Sequence, residues 1–415
     1  MLSNIQRKQL FFASRIALIF TAMTFAFRAS LEGVWGPTFN LNKEQLGWIF
    51  GPAFWGFTLA MIVGGPLCDV LGMKRLLVFA FIGHIAGVVV YLVAKDATML
   101  FIGTVCIGIG NGMVEAACNP LTVTLFPQNK TTMLNRFHVW FPGGIVIGGL
   151  VSYLILDILK LDWHIMIATL FIPAIIYGFL FFKLSFPQTE RVTKGVSTGK
   201  MFASCLNPLF LVMLACMFLT AATELGTNQW LPGFLENAGV SGILVLVLIN
   251  GVMALGRAFA GPVVHKINPN GMLIFSALFA GIGLLLLSQA SGNGAFAAAF
   301  VFAVGICFFW PTMLGFVSEY LPNTGALGLS LMGGGGMLSV AFILPIMGRW
   351  FDNFKQAAVS SGHSAGEANN MASSSTFLKV AIMPAIVLVA FVLIYFSRRK
   401  FYAAHKAQAQ ADMVV

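Results

Sequence analysis

Long apolar runs alternate with short polar gaps along the whole chain. Six runs lie near 11–39, 46–68, 75–94, 98–126, 138–158 and 164–186, and six more near 208–235, 242–264, 271–290, 294–320, 325–349 and 377–397. Each suits a helix that crosses a bilayer, which needs roughly 20 apolar residues. Such unbroken runs disfavour a membrane β-barrel, whose strands alternate apolar and polar positions. Residues 187–200, between the sixth and seventh runs, are polar and basic and read as a linker. The pattern predicts an all-α membrane protein of 12 transmembrane helices in two six-helix bundles, 1–186 and 208–397. A cytoplasmic linker 187–207 joins them, and a cytoplasmic tail 398–415 follows. Residues 352–375, rich in Gly, Ser and Asn, are expected to form an external loop.

The halves repeat one another. Trp35-x-Pro37-x-Phe39 in run 1 recurs as Trp230-x-Pro232-x-Phe234 in run 7, an offset of 195. Gly65-Pro66 stands three residues before Asp69, and Gly261-Pro262 three residues before His265. Phe126-Pro127 closes run 4 as Leu321-Pro322 closes run 10. These matches point to duplication, so the two bundles are expected to be pseudo-symmetric. Duplicated bundles hold solute near the bilayer midplane between the repeats and expose it to either side by rocking. The implied class is a secondary transporter working by alternating access.

Composition narrows this further. Only 9% of the 415 residues are charged and 58% are hydrophobic, whereas soluble domains carry about 25% charged residues. A soluble protein is excluded, and the length leaves no room for a separate soluble domain. The formal charge of +10 does not point to nucleic acid. Arg7, Lys8, Lys74, Arg75, Lys130, Arg136, Arg191, Lys194, Lys200, Lys266, Arg398 and Arg399 crowd alternate gaps, while Lys43, Lys95, Lys160, Arg349 and Lys355 are sparse in the others. By the positive-inside rule both termini are expected in the cytoplasm, in a multi-pass protein of a bacterial inner (plasma) membrane. The first run continues past Phe27 without a small-residue cleavage site, so it reads as a span and not a signal peptide. The six cysteines stand singly and act as small apolar fillers. No catalytic triad, HExxH helix or nucleotide-binding loop occurs, so neither enzyme activity, cofactor nor metal is expected.

Ionisable side chains inside spans are costly and mark functional sites. Here they are Arg28 and Glu32 in run 1, Glu115 in run 4, Glu224 in run 7 and Arg257 in run 8. At 1.5 Å per residue, Glu115 lies about 25 Å from Thr98 and Glu224 about 23 Å from Leu209, so both are central. Arg28 and Glu32 are one helical turn apart and can pair on one face. Arg257 sits near the expected cytoplasmic end, where it either snorkels or joins a gate. Run 7 also offers Asn228, Gln229 and Trp230; amides and carboxylates bond hydroxyl pairs, and an aromatic face packs on a sugar's C–H face. Trp310, offset by 195 from Glu115, is expected opposite it on run 10. His138 serves either as a ligand or as packing.

Gly65-Pro-Leu-Cys-Asp69-Val-Leu-Gly72-Met-Lys74-Arg75 resembles the signature loop of the major facilitator superfamily. Asp69 can accept charge-assisted hydrogen bonds from basic groups or a helix N-terminus. Gly72 permits the tight turn, and Lys74 and Arg75 anchor the cytoplasmic face. Such a cluster latches the outward-facing state and breaks when the carrier opens inward. Glu115-Ala-Ala-Cys-Asn119-Pro120, followed by Leu134-Asn135 at the next helix start, resembles the L-fucose/proton symporter family of sugar transporters. That resemblance implies that Glu115 is a substrate or proton site and that Asn119 and His138 line the cavity. The family's Asn-Asp-x-x-x-Pro pattern is here Glu32-Gly33-Val-Trp-Gly-Pro37, with the acid one position earlier. The intramembrane Arg28 is unlike that family and hints at an acidic solute.

The expected function is secondary active transport of a monosaccharide or related small polar solute by proton-coupled symport. Glu115, Glu32 and Glu224 are the expected proton-coupling carboxylates. Arg28, Glu115, Asn119, His138, Glu224, Asn228, Gln229 and Trp310 are expected to bind substrate, and Asp69, Gly72, Lys74, Arg75 and Arg257 to gate. The alternatives are an organic-anion or sugar-acid symporter using Arg28, and a membrane sensor that does not translocate. The expected partners are the solute, protons and the lipid bilayer, with the chain a monomer.

Overall fold

The structure, a computed structural model, describes residues 3–41, 43–193, 195, 197–234 and 242–397; the tail 398–415 lies outside the described residues. Eleven described helices are long and apolar enough to cross a membrane, and one shorter apolar helix joins them. In chain order they are span 1 (Asn4–Leu31, part of a helix running Asn4–Phe39), span 2 (Gln45–Leu71), span 3 (Met73–Leu92), span 4 (Ala97–Leu125), span 5 (Lys130–Ile158) and span 6 (Trp163–Lys183). The second half has span 7 (Pro208–Leu231), the shorter span 8 (Leu244–Ala258), span 9 (Lys266–Gln289), span 10 (Gly294–Tyr320), span 11 (Pro322–Ser360) and span 12 (Ala365–Ser397).

Local chemistry sets several of the ends. Ser3 and Gln6 form a reciprocal capping box at the start of span 1, at 3.1 and 3.2 Å. Asp96 accepts from the backbone N–H of Met99 at 2.9 Å and caps span 4. Gly72, with φ +87°, takes the left-handed turn between spans 2 and 3 that a side chain would strain. The expected external loop 352–375 is instead helical. Span 11 continues to Ser360 and span 12 begins at Ala365. Ser364 and Glu367 form a second capping box, at 2.9 Å from the Ser364 N–H and 3.4 Å from the Glu367 N–H. That cap and the helix-favouring alanines outweigh the loop-like Ser, Asn and Gly content.

Packing repeats between the halves. Span 4 packs on spans 2 and 3 as span 10 packs on spans 8 and 9, and span 1 packs on span 5 as span 7 packs on span 11. Two main cores form, each centred on one half, and that of the second half also takes in Phe57, Met61, Val123 and Leu134 of the first. One gathers Phe20, Phe27, Leu76 and Tyr177, the other Phe210, Met217, Phe302 and Phe391. Exposed Leu59, Val63, Phe79, Ile82, Ile172 and Leu393 give the outside an apolar coat, which suits lipid tails as apolar as the side chains themselves. The halves meet where span 2 packs on span 11 and span 5 on spans 8 and 10.

Candidate functional site

A cavity lies at this junction, lined from the first half by Phe57, Glu115, His138 and Phe141 and from the second by Glu224, Leu225, Arg257, Trp310 and Met337. Glu224 sits on a π-helical turn, Ala222–Gly226, within span 7. Such bulges concentrate at functional sites because they re-aim one side chain and loosen the backbone pairing. Glu224 accepts from Arg257 Nη2 at 2.9 Å through Oε1, while its buried Oε2 has no partner. Arg257 also donates Nε to the Cys307 carbonyl at 2.6 Å and Nη1 to the His138 carbonyl at 3.2 Å. The guanidinium thus ties spans 7, 8 and 10 to span 5 across the junction.

Facing it, Asn119 Nδ2 donates to Glu115 Oε2 at 2.7 Å, and His138 Nε2 lies 3.1 Å from Asn119 Oδ1 and 3.9 Å from Glu115 Oε2. Glu115 and Asn119 are one turn apart on span 4, so helical spacing lets them pair, with Glu115 on the cavity wall and Asn119 behind it. The wall combines a carboxylate and an imidazole with the rings of Phe57, Phe141 and Trp310.

The structure brings five predicted residues, Glu115, His138, Glu224, Arg257 and Trp310, to one cavity, with Asn119 bonded behind them. Arg257 does not snorkel: it is 1% exposed, because two carbonyls and a carboxylate in the interior bond three of its nitrogens. Arg28 is elsewhere. It lies over the rings of Phe25 and Phe54, at 4.7 and 4.4 Å, beside a separate cavity within the first half. Gln229 is exposed, and Asn228 is half-buried further along span 7, outside the central lining. The side chains of Glu32 and His265 lie outside the described residues.

The loop between spans 2 and 3 is tied to the end of span 6 and the stretch that follows it. Asp69 accepts from Arg191 Nε at 2.6 Å and from Thr189 Oγ1 at 2.5 Å, both in the stretch that follows span 6. Lys74 instead bonds the carbonyls of Phe182 and Leu184, at 2.9 and 3.0 Å, at the end of span 6, and Arg75 is exposed. Beside them Lys130 reaches Glu190 at 2.7 Å and the Ser318 carbonyl at 3.3 Å, and Thr131 donates to Glu319 at 2.6 Å through Oγ1. Arg191 lies against Gly325, at the head of span 11. The partners of Asp69 were not read from the sequence; the one available signal was Thr189-Glu190-Arg191, a polar and charged triplet just past an apolar run.

The sequence profile described as the Major Facilitator Superfamily matches residues 11–343. Over 293 residues the chain is 26% identical to the 3-(3-hydroxy-phenyl)propionate transporter of Escherichia coli (strain K12), covering 64% of this chain and 68% of that one. Over 371 residues it is 23% identical to the gallate transporter of Pseudomonas putida, covering 77% and 82%. In fold it resembles the fucose:proton symporter of Escherichia coli, with a TM-score of 0.68, 17% identity and coverage of 90% and 98%. It also resembles a proton:xylose symporter, with a TM-score of 0.71, 16% identity and coverage of 92% and 95%. The chain is a multi-pass membrane transporter and belongs to the Major Facilitator Superfamily.

Proposed function

We propose that the central cavity is the transport site of a proton-coupled carrier for a small organic acid that bears a ring and hydroxyl groups. The observation that carries this reading is the Arg257–Glu224 pair, buried between the aromatic walls Phe57, Phe141 and Trp310 where the halves meet. An incoming carboxylate competes with Glu224 for Arg257 Nη2. A proton on Glu224 removes the competitor, so acid and proton enter together. The bonds from Nε and Nη1 to backbone carbonyls hold the guanidinium plane while Nη2 changes partner. Guanidinium and carboxylate pair through two parallel hydrogen bonds, and the ring faces pack on an aromatic body. Glu115, held by Asn119 behind it, is a second coupling carboxylate and, with His138, offers hydrogen-bonding groups to hydroxyls. Two relatives named above transport hydroxylated aromatic acids by their own descriptions, which supports the same class here.

A neutral monosaccharide is the second reading, favoured by the Glu115–Asn119 hydrogen bond beside His138, a grouping suited to hydroxyl pairs. Counterflow in proteoliposomes separates the two. Vesicles preloaded with unlabelled 4-hydroxybenzoate are expected to overshoot with external labelled 4-hydroxybenzoate, and Arg257→Gln to abolish the overshoot. Overshoot with fucose or xylose alone moves the assignment to sugars, and a sensor that does not translocate gives none.

A further inference from the structure

A second cavity is lined entirely by residues of the first half. Its polar lining is Thr24, Arg28, Trp35, Tyr91 and Thr104. The hydroxyls are spent within the protein. Thr104 Oγ1 donates to the Leu100 carbonyl at 2.9 Å, so Tyr91 donates to Thr104 at 2.7 Å. Thr24 Oγ1 donates to the Thr21 carbonyl at 2.6 Å and accepts from Asn111 at 3.0 Å. Two donor groups remain. Trp35 is wholly buried and its Nε1 has no acceptor. Among the described residues no carboxylate pairs with Arg28, whose guanidinium lies over the rings of Phe25 and Phe54. Ring faces attract the cation but do not replace acceptors for its N–H groups, and the buried Trp35 N–H left without an acceptor is costly.

We propose that this cavity is a carboxylate-binding site separate from the central one, with Arg28 and the Trp35 indole N–H as its donors. Its ligand class is a small monocarboxylate with an apolar body. One guanidinium balances one negative charge, whereas a doubly charged phosphate would be buried with charge uncompensated. Phe27, Leu31 and Ile107 offer the apolar wall. Phe25, under the Arg28 guanidinium, packs edge-on against Phe57 and Phe141, which line the central cavity. Because all its lining belongs to one half, the site persists whichever way the halves rock. It does not depend on what the central cavity carries.

The test is calorimetric titration of the purified full-length chain with benzoate, with neutral benzamide and inorganic phosphate as comparisons. Benzoate is expected to bind saturably in the Arg257→Gln background, and benzamide and phosphate not to bind. Arg28→Gln is expected to weaken benzoate by about tenfold or more, as for loss of a charged hydrogen-bond partner. Trp35→Phe, which keeps the ring and removes the N–H, is expected to weaken it by about fivefold, and it serves if the arginine variant does not fold. In the wild-type chain the same substitutions remove one of two benzoate sites. Unchanged benzoate affinity in both variants, or benzamide binding as well as benzoate, overturns the proposal. Failure of the central reading looks different, because Arg257→Gln then changes neither binding nor transport while Arg28→Gln still weakens benzoate binding.

Discussion

Arg257 on span 8 and Glu224 on span 7 meet at 2.9 Å with side chains 2% and 4% exposed. A buried ion pair gains little over an apolar pair, but removing one partner strands the other at about 3–5 kcal/mol. Arg257→Gln and Glu224→Gln are therefore each expected to lower the melting temperature clearly in detergent. The double variant is expected to be more stable than the sum of the single losses. Additive losses would mean that the two side chains are not coupled.

Glu115 bonds Asn119, with His138 beside it. Glu115→Gln keeps the shape and the amide contact and removes the titratable proton. Accumulation against a gradient is expected to be lost while counterflow continues. A Glu115→Gln carrier that still concentrates its solute excludes this residue from coupling.

Asp69 is held by Arg191 and Thr189, and Arg191 in turn lies against Gly325 of the other half. Asp69→Asn and Arg191→Gln are expected to impair net transport severalfold while leaving substrate affinity intact, and the exchange of the two charges to restore part of the rate. Gly325 has φ +56° and a Cβ there meets Arg191 Cδ at 2.9 Å, so Gly325→Ala is expected to act in the same direction. Unchanged uptake kinetics in all three single variants would remove the latch from the mechanism.

Spans 9 and 10 approach through glycine: a Cβ on Gly305 falls on the Ala280 backbone, and one on Gly283 falls on that of Phe302. Gly305→Ala is expected to destabilise by about 1–3 kcal/mol through overpacking. Gly149 has nothing near its would-be Cβ, so Gly149→Ala is expected to be neutral or to stabilise by up to about 1 kcal/mol through helix propensity. Thermal melts of the pair check both signs.

The span order and the central acids were legible because apolar runs of membrane length and rare buried charges are strong local signals. Glu115 and Trp310 could even be placed opposite one another from the internal repeat. The pairing of Glu224 with Arg257, 33 residues apart, was not legible, since it depends on a π-helical turn and on which face of span 8 meets span 7. The partner of Asp69 lies 122 residues away and is decided by the path of the chain after span 6. Arg28 shows the limit of reading charge alone: its position in span 1 was clear, but the cavity it faces depends on helix rotation. The turn after Ser360 was missed because composition outweighed a legible capping box, Ser364-x-x-Glu367.

The most direct test of the central claim is uptake of labelled 4-hydroxybenzoate into proteoliposomes under an imposed pH gradient, alkaline inside. The expected result is accumulation above the external concentration that collapses with a protonophore and is absent in Arg257→Gln. Uptake that only equilibrates, or that ignores both the gradient and Arg257, contradicts a proton-coupled acid carrier built around the Arg257–Glu224 pair.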